Sequence, residues 1–129
     1  MRTEITEAKR LVVKIGSSSL TDREGHLDPA RIETLAAELA SLQARDKRLV
    51  LVTSGAIAAA LGPLGLPARP KDLETQQAAA AVGQGILIRR YAEAFAAHHQ
   101  MVAQVLLTAG DLQDGRSYRN ALNTISRLF

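Results

Sequence analysis

Residues 49–65 read LVLVTSGAIAAALGPLG. Four apolar residues, Leu49 to Val52, run into Thr53, Ser54 and Gly55, and an alanine-rich segment follows. The apolar run is continuous rather than alternating, as expected of a strand covered on both faces. Ser54 is placed to cap a short helix reaching about Leu61, where Gly62-Pro63 stops it. The stretch therefore reads as strand, tight turn and helix, the repeating unit of an α/β fold. The same turn suits an anion. The first N–H groups of a helix lack internal partners and carry partial positive charge, and a glycine removes the side chain that would block approach.

Working outward, LVVKI at 11–15 is a second β-branched run, ended by Gly16 and three serines. A turn-rich loop, TDREGH, follows at 21–26. Asp28-Pro29 then opens a helix, with Asp as N-cap and Pro at the first helical position. Ile32, Leu35, Ala36, Leu39 and Leu42 share one face of it until it fades near Arg45-Asp46. Residues 62–71 hold three of the four prolines and two glycines, and form a surface loop. The spacing predicts a long helix from Asp72 or Leu73 to about His98, with Leu87, Tyr91 and Phe95 at intervals of four. Gly83 and Gly85 lie inside it, each costing up to about 1 kcal/mol relative to Ala, and close packing against a neighbouring element is the preferred reason. MVAQVLLT at 101–108 reads as a third strand, AGDLQDG as a loop, and 117–129 as a helix with Tyr118, Leu122, Ile125 and Phe129 in near-helical register. Strands alternating with helices predict a mostly parallel sheet with right-handed crossovers. Three strands leave an unpaired edge, so these residues are expected to be a portion of a larger α/β unit.

Composition narrows the classes of function. The chain has 129 residues, 47% hydrophobic and 22% charged, with no Cys and no Trp. That is a globular composition, able to bury roughly two-thirds of its unfolded surface. No disulfide or thiolate metal site is available, which fits a reducing, cytoplasmic setting. The net charge is +3, but the basic residues are scattered and only two Phe and two Tyr accompany them. Nucleic-acid binders concentrate their charge on one face and add stacking aromatics, so solvated surface charge is the expectation. MRTEITEAKR has no apolar centre and is no signal peptide. No apolar run approaches the roughly 20 residues that span a bilayer.

Ligands of open parallel sheets bind beyond the carboxyl ends of the strands. The first such end offers Lys14, Gly16, Ser17 and Ser18; the second offers Thr53, Ser54, Gly55 and Ala56; the third offers Thr108 and Asp111. Lys14 interrupts an apolar strand, and a buried ammonium is costly without a partner. It either meets a nearby carboxylate or joins Gly16 and Ser17 in cradling phosphate oxygens. Two anion-friendly turns at neighbouring strand ends suit phosphoryl transfer to an acid, where positioning and charge stabilisation supply most of the catalysis. Other motifs fail on context. There is no Walker A pattern, and the paired glycines of VGQGIL lie inside a helix rather than after a strand. His98 and His99 are adjacent and share no helix face, so they suit the helix C-terminal dipole better than a metal. GDLQDG lacks the spacing and closing Glu of a calcium loop, and no metal ligands are assigned.

LVVKIGSSSLT, VLVTSGAIAAA, QQAAAAVGQG and the VAQVLLT segment with its following DL, D, Y and NT positions resemble the glutamate 5-kinase branch of the amino-acid kinase family. The likeness covers residues 10–129. It implies a three-layer α/β/α sandwich with a mostly parallel sheet, of which these residues would be the N-terminal, substrate-side part and the nucleotide-binding half would be absent. It also implies transfer of the ATP γ-phosphoryl group, with Mg²⁺, to the side-chain carboxylate of L-glutamate in proline biosynthesis. Lys14 matches the family's catalytic, phosphate-contacting lysine, Gly16 and Ser17 its phosphate-side loop, and Ser54, Gly55 and Ala56 its glutamate-binding turn. Proline as a feedback inhibitor and a homo-oligomeric full-length protein follow from the same resemblance. The chain departs from the family pattern at Ala109, Gly115, Ser117, Arg119 and Leu122. The isolated residues are expected to be inactive. A non-catalytic product binding glutamate, proline or a partner subunit, or another acid kinase of the family, are the alternatives.

Overall fold

Asp28 and Pro29 open the first long helix as their chemistry dictates. The Asp28 carboxylate accepts from the Ala30 N–H, and Pro29 sits at the first position, where no N–H is needed. The computed structural model describes residues 2–129. In chain order it holds α1 (Arg2–Glu7), β1 (Arg10–Ile15), a 3₁₀ turn (Ser17–Ser19), α2 (Pro29–Gln43), β2 (Arg48–Thr53), α3 (Ala56–Leu61), α4 (Leu73–Ala96), α5 (Ala109–Gln113) and α6 (Gly115–Leu128).

β1 and β2 pair in parallel, in a register running from Arg10 opposite Arg48 to Ile15 opposite Thr53. α2 supplies the crossover between them. Side chains alternate across the sheet. Val13, Ile15, Leu49 and Leu51 pack inward, whereas Arg10, Val12, Lys14, Arg48 and Val52 are exposed on the other face. The core lies between the inward face and the helices, and consists of Leu20, Ile32, Ala36, Leu39, Ala59, Leu87, Tyr91, Ala94 and Phe95. The periodic stripes read from α2 and α4 supply most of it.

α3 and α4 approach unusually closely. A Cβ built on Gly83 would lie 1.6 Å from the Ala56 carbonyl oxygen and 3.2 Å from the Ala60 Cβ. The packing reason expected for this glycine therefore holds. Gly85 has nothing within 4 Å of the same construction, and no such reason applies to it.

Several expectations need correction. The sheet has two strands, and 101–108 forms no third one. A strand is a paired object, and this apolar segment lies against no ladder: Met101 is 98% and Leu106 is 73% exposed. Val102 still packs on the core, and the Gln100 amide donates to the Ala40 carbonyl at 3.4 Å. β2 is not covered on both faces, since Val52 stands open on the same face as Val12. AGDLQDG is not a loop. Thr108 and Asp111 form a reciprocal capping box that starts α5, and Asp114 then caps α6 through the Ser117 N–H. α6 has the expected periodicity, yet none of its residues is buried. α1 was not anticipated. No helix among the described residues is long and apolar enough to cross a membrane.

Candidate active site

The first turn leaves β1 at Gly16, whose backbone is extended, and tightens into the 3₁₀ segment through a Ser19 N–H to Gly16 carbonyl bond of 3.1 Å and a Leu20 N–H to Ser17 carbonyl bond of 2.9 Å. Leu20, 1% exposed, then plugs the core. The second turn leaves β2 at Thr53. Gly55, at φ 115° and ψ 6°, occupies the left-handed region that an L side chain rarely adopts. It, and not Ser54, is the N-cap residue of α3, and no side chain caps that helix. Ser54 is left exposed with its hydroxyl uncommitted to a cap. α3 has only 6 residues, so its dipole is a smaller contributor than a full-length helix would supply.

Leu20 joins the two turns. Its Cδ1 would lie 3.8 Å from a Cβ built on Gly55, and those of Leu27 and Leu87 at 3.9 and 4.0 Å. Thus the residue that ends the first turn packs beneath the second. A cleft of about 510 Å³ results, lined by Ser17 and Ser18 from one turn and Ser54, Gly55 and Ala56 from the other. Thr21, Glu24 and Gly25 close one side of it. Their loop is shaped by Asp22, whose carboxylate accepts from the Glu24 and His26 N–H groups at 3.0 and 2.9 Å.

Ser17, Ser54, Gly55 and Ala56 are therefore brought together as the sequence suggested. Gly16 and Lys14 are not among the lining residues. Lys14 is exposed on the outward sheet face, in register with Val52, and its ammonium makes no ion pair or hydrogen bond among the described residues. The salt-bridge alternative for this lysine thus finds no partner. Thr108 and Asp111 bond to each other at 2.7 Å and stay outside the cleft.

Sequence reading missed two lining residues that matter electrostatically. Arg69, from the proline-rich loop, and Glu24 both border the cleft, giving it a guanidinium, a carboxylate and several hydroxyls. Nothing in the sequence separates Arg69 from the scattered surface charge. Its position depends on how residues 62–71 fold back, for which no local pattern exists. Gln84, on α4 next to Gly83, also reaches the cleft.

A hydrogen-bonded chain lies under the second turn. The Thr53 hydroxyl donates to the Ser54 carbonyl at 3.1 Å and sits 2.7 Å from the Tyr91 hydroxyl. Tyr91 is 3% exposed. Burial pushes its phenol above the ordinary value, and the bond with Thr53 pulls the other way.

Comparison with known proteins bears on the family of the chain. A profile of the amino acid kinase family matches residues 9–129. The chain is 58% identical over 128 residues to a glutamate 5-kinase of Salinispora arenicola, covering 99% of this chain and 35% of that protein. It is 53% identical over 127 residues to a glutamate 5-kinase of Streptomyces coelicolor, covering 98% and 34%. With a glutamate 5-kinase of Thermobifida fusca it shares 54% over 127 residues, covering 98% and 33%. The chain thus spans about a third of the length of these curated relatives. With the family profile matched from Lys9 to the last residue, and two ligand-ready turns at adjacent parallel strand ends, the chain belongs to the amino acid kinase family.

Proposed function

We propose that residues 10–129 are the substrate-side part of a glutamate 5-kinase, working in the cytoplasm in proline biosynthesis. In this reading the complete domain is a three-layer α/β/α sandwich, and the part that holds adenine and ribose lies outside these residues. The observation that carries the proposal is the single cleft shared by Ser17 and Ser54–Ala56. Two turns that each offer N–H and hydroxyl donors face one space, as two anionic reactants require.

Ser54, Gly55 and Ala56 orient L-glutamate, with Arg69 as a second positive group at the same space. Gly16 and Ser17 take the phosphate side. Lys14, one residue before the end of β1 and with no ion pair among the described residues, stands outside the cleft lining, and its role in offsetting charge on the transferring group rests on the family resemblance alone. Bound ATP supplies the γ-phosphoryl group to the side-chain carboxylate, giving γ-glutamyl phosphate and ADP. The cleft fits the phosphates through its serine donors. It does not provide a protein metal cage: among the described residues no group of three His, Cys, Asp or Glu is placed to hold an ion. Mg²⁺ in this reading arrives on the nucleotide, which is its usual habit. The exposed outward face of β1 and β2 and the unburied stripe of α6 support the view that further polypeptide belongs there in a full-length kinase.

Hydroxylamine traps acyl phosphates. The 129-residue chain mixed with ATP, Mg²⁺ and L-glutamate is expected to give no hydroxamate above background. A chimera in which this chain replaces the matching segment of the Salinispora arenicola relative is expected to give it. In that chimera Lys14→Ala loses most turnover while its circular dichroism is unchanged. Hydroxamate formation by the chain alone overturns the expectation that these residues are inactive by themselves, wild-type turnover with Lys14→Ala removes the lysine's role, and a chimera that folds but forms no hydroxamate overturns the assignment.

A further inference from the structure

We infer that α4 sets the position of the Ser54–Ala56 turn through three residues spaced by four, with Gly83 beneath Ala56, Leu87 beneath Gly55 and the Tyr91 hydroxyl beneath Thr53. The functional consequence rests on reading that turn as the glutamate-binding one; the positioning itself does not.

The three contacts run antiparallel to the turn, ascending along α4 as the turn descends. At the first, the absence of a side chain lets α4 approach until a Cβ on Gly83 would stand 1.6 Å from the Ala56 carbonyl oxygen. This fixes the depth at which α3 begins. At the second, the Leu87 methyl reaches within ordinary contact of Gly55, 4.0 Å from where a Cβ would be. At the third, the contact is polar and directional. A threonine hydroxyl has one proton. Thr53 directs it to the Ser54 carbonyl, so the Tyr91 hydroxyl, 2.7 Å away, must be the donor to Thr53. A relay results: Tyr91 O–H to Thr53 Oγ1, and Thr53 O–H to the Ser54 carbonyl oxygen. The described residues contain no cis peptide, so holding the Ser54 carbonyl also fixes the opposite direction of the Gly55 N–H, because the two are anti across a trans peptide plane. Tyr91 thereby orients a donor of the cleft without lining it. Leu87 and Tyr91 are nearly completely buried, at 2% and 3% exposure, which keeps water from competing for the relay. Tyr91 and Gly83 are thus positioning residues.

The test is an amide-resolved spectrum of the ligand-free chain labelled with ¹⁵N. Tyr91→Phe keeps the ring in the core and removes only the relay's first donor, and Thr53→Val removes its middle member. Each is expected to move and broaden the Ser54, Gly55 and Ala56 amides while α2 and the far end of α4 stay in place. The double variant is expected to move them no further than either single one, because both break the same relay. Tyr118→Phe, on the exposed α6, is expected to leave these amides unmoved. If Tyr91→Phe leaves Ser54–Ala56 at wild-type positions, or if the effects of the two single variants add, the relay does not set the turn and the inference fails. Calorimetric titration of the same samples with L-glutamate separates this from the substrate reading. Roughly three- to tenfold weaker binding in Tyr91→Phe is expected for the loss of one hydrogen bond's positioning. Absence of glutamate binding by the wild-type chain counts against the substrate reading, and the ligand-free comparison still decides the positioning.

Discussion

Gly83 and Gly85 look alike in the sequence, two glycines in one helix, and the structure separates them. At Gly83 an added methyl meets the backbone of Ala56, which cannot swing aside as a flexible side chain can. Gly83→Ala is therefore expected to cost about 1–3 kcal/mol or more, as overpacking does. At Gly85 the added methyl meets nothing, and helix propensity alone decides. Gly85→Ala is expected to stabilise by up to about 1 kcal/mol. Urea unfolding of the two variants checks both signs; equal effects would contradict the close approach of α3 and α4. Residue-level reading of the sequence went far at Asp28 and Pro29, where the local chemistry dictates the backbone, and fell one residue short at α3, where it put the cap on Ser54 and the left-handed Gly55 takes that place. It could not say which face Lys14 takes, because alternation along β1 gives two faces and only the helices packed on one of them distinguish core from open side. Tyr91 was legible as a core residue. Its bond to Thr53 was not, since the two are 38 positions apart.

Among the elements, those with self-contained signals were readable: α2 and α4 from their periodic stripes and caps, and β1 and β2 from their apolar runs. The segment at 101–108 carries an equally good strand pattern and forms none, because ladder pairing is a property of two segments and the pattern describes one. α5 was missed although its signal was present. Thr108 and Asp111, three apart, are a capping box with aspartate in place of the usual glutamate. These caps carry a pH dependence. The Thr108 N–H and hydroxyl hold the Asp111 carboxyl below its ordinary value of 3.8, and the Ser117 N–H does the same for Asp114. A carboxyl depressed in the folded state contributes stability that is present above the unfolded value and lost as pH falls through the folded one. The amides of α5 and the first turn of α6 are thus expected to lose helical shifts and protection as pH falls below 3.8, while Asp111→Asn removes that dependence from α5. Retention of both starts at pH 2 would contradict it. Asp114 is exposed and Asp111 only half-buried, and neither α5 nor α6 buries a residue, so the effect is local fraying rather than global unfolding.

For the whole molecule, the decisive feature is that two turns far apart in sequence meet at one space. Parallel pairing of β1 with β2 puts their carboxyl ends side by side, and Leu20 packs one turn against the other. The sequence gives reason to expect the pairing, because a helix between two apolar runs makes a parallel crossover the natural connection. It gives no reason to expect Arg69 or Glu24 at the same cleft. The outward sheet face stands open, with Val12 at 73% exposure, and α6 buries none of its residues, so both surfaces are free of packing among the described residues.

The central claim is that the Ser17 and Ser54–Ala56 turns share a site for glutamate. Its most direct measurement is titration of the ¹⁵N-labelled chain with L-glutamate, followed amide by amide. The predicted result is saturable movement of Ser54, Gly55 and Ala56, with smaller movement of Ser17 and Ser18 across the cleft, none in α6, and loss of the response in Ser54→Ala. Saturable shifts confined to α5, α6 or the outward face of β1 and β2, or a response that Ser54→Ala leaves intact, would contradict it.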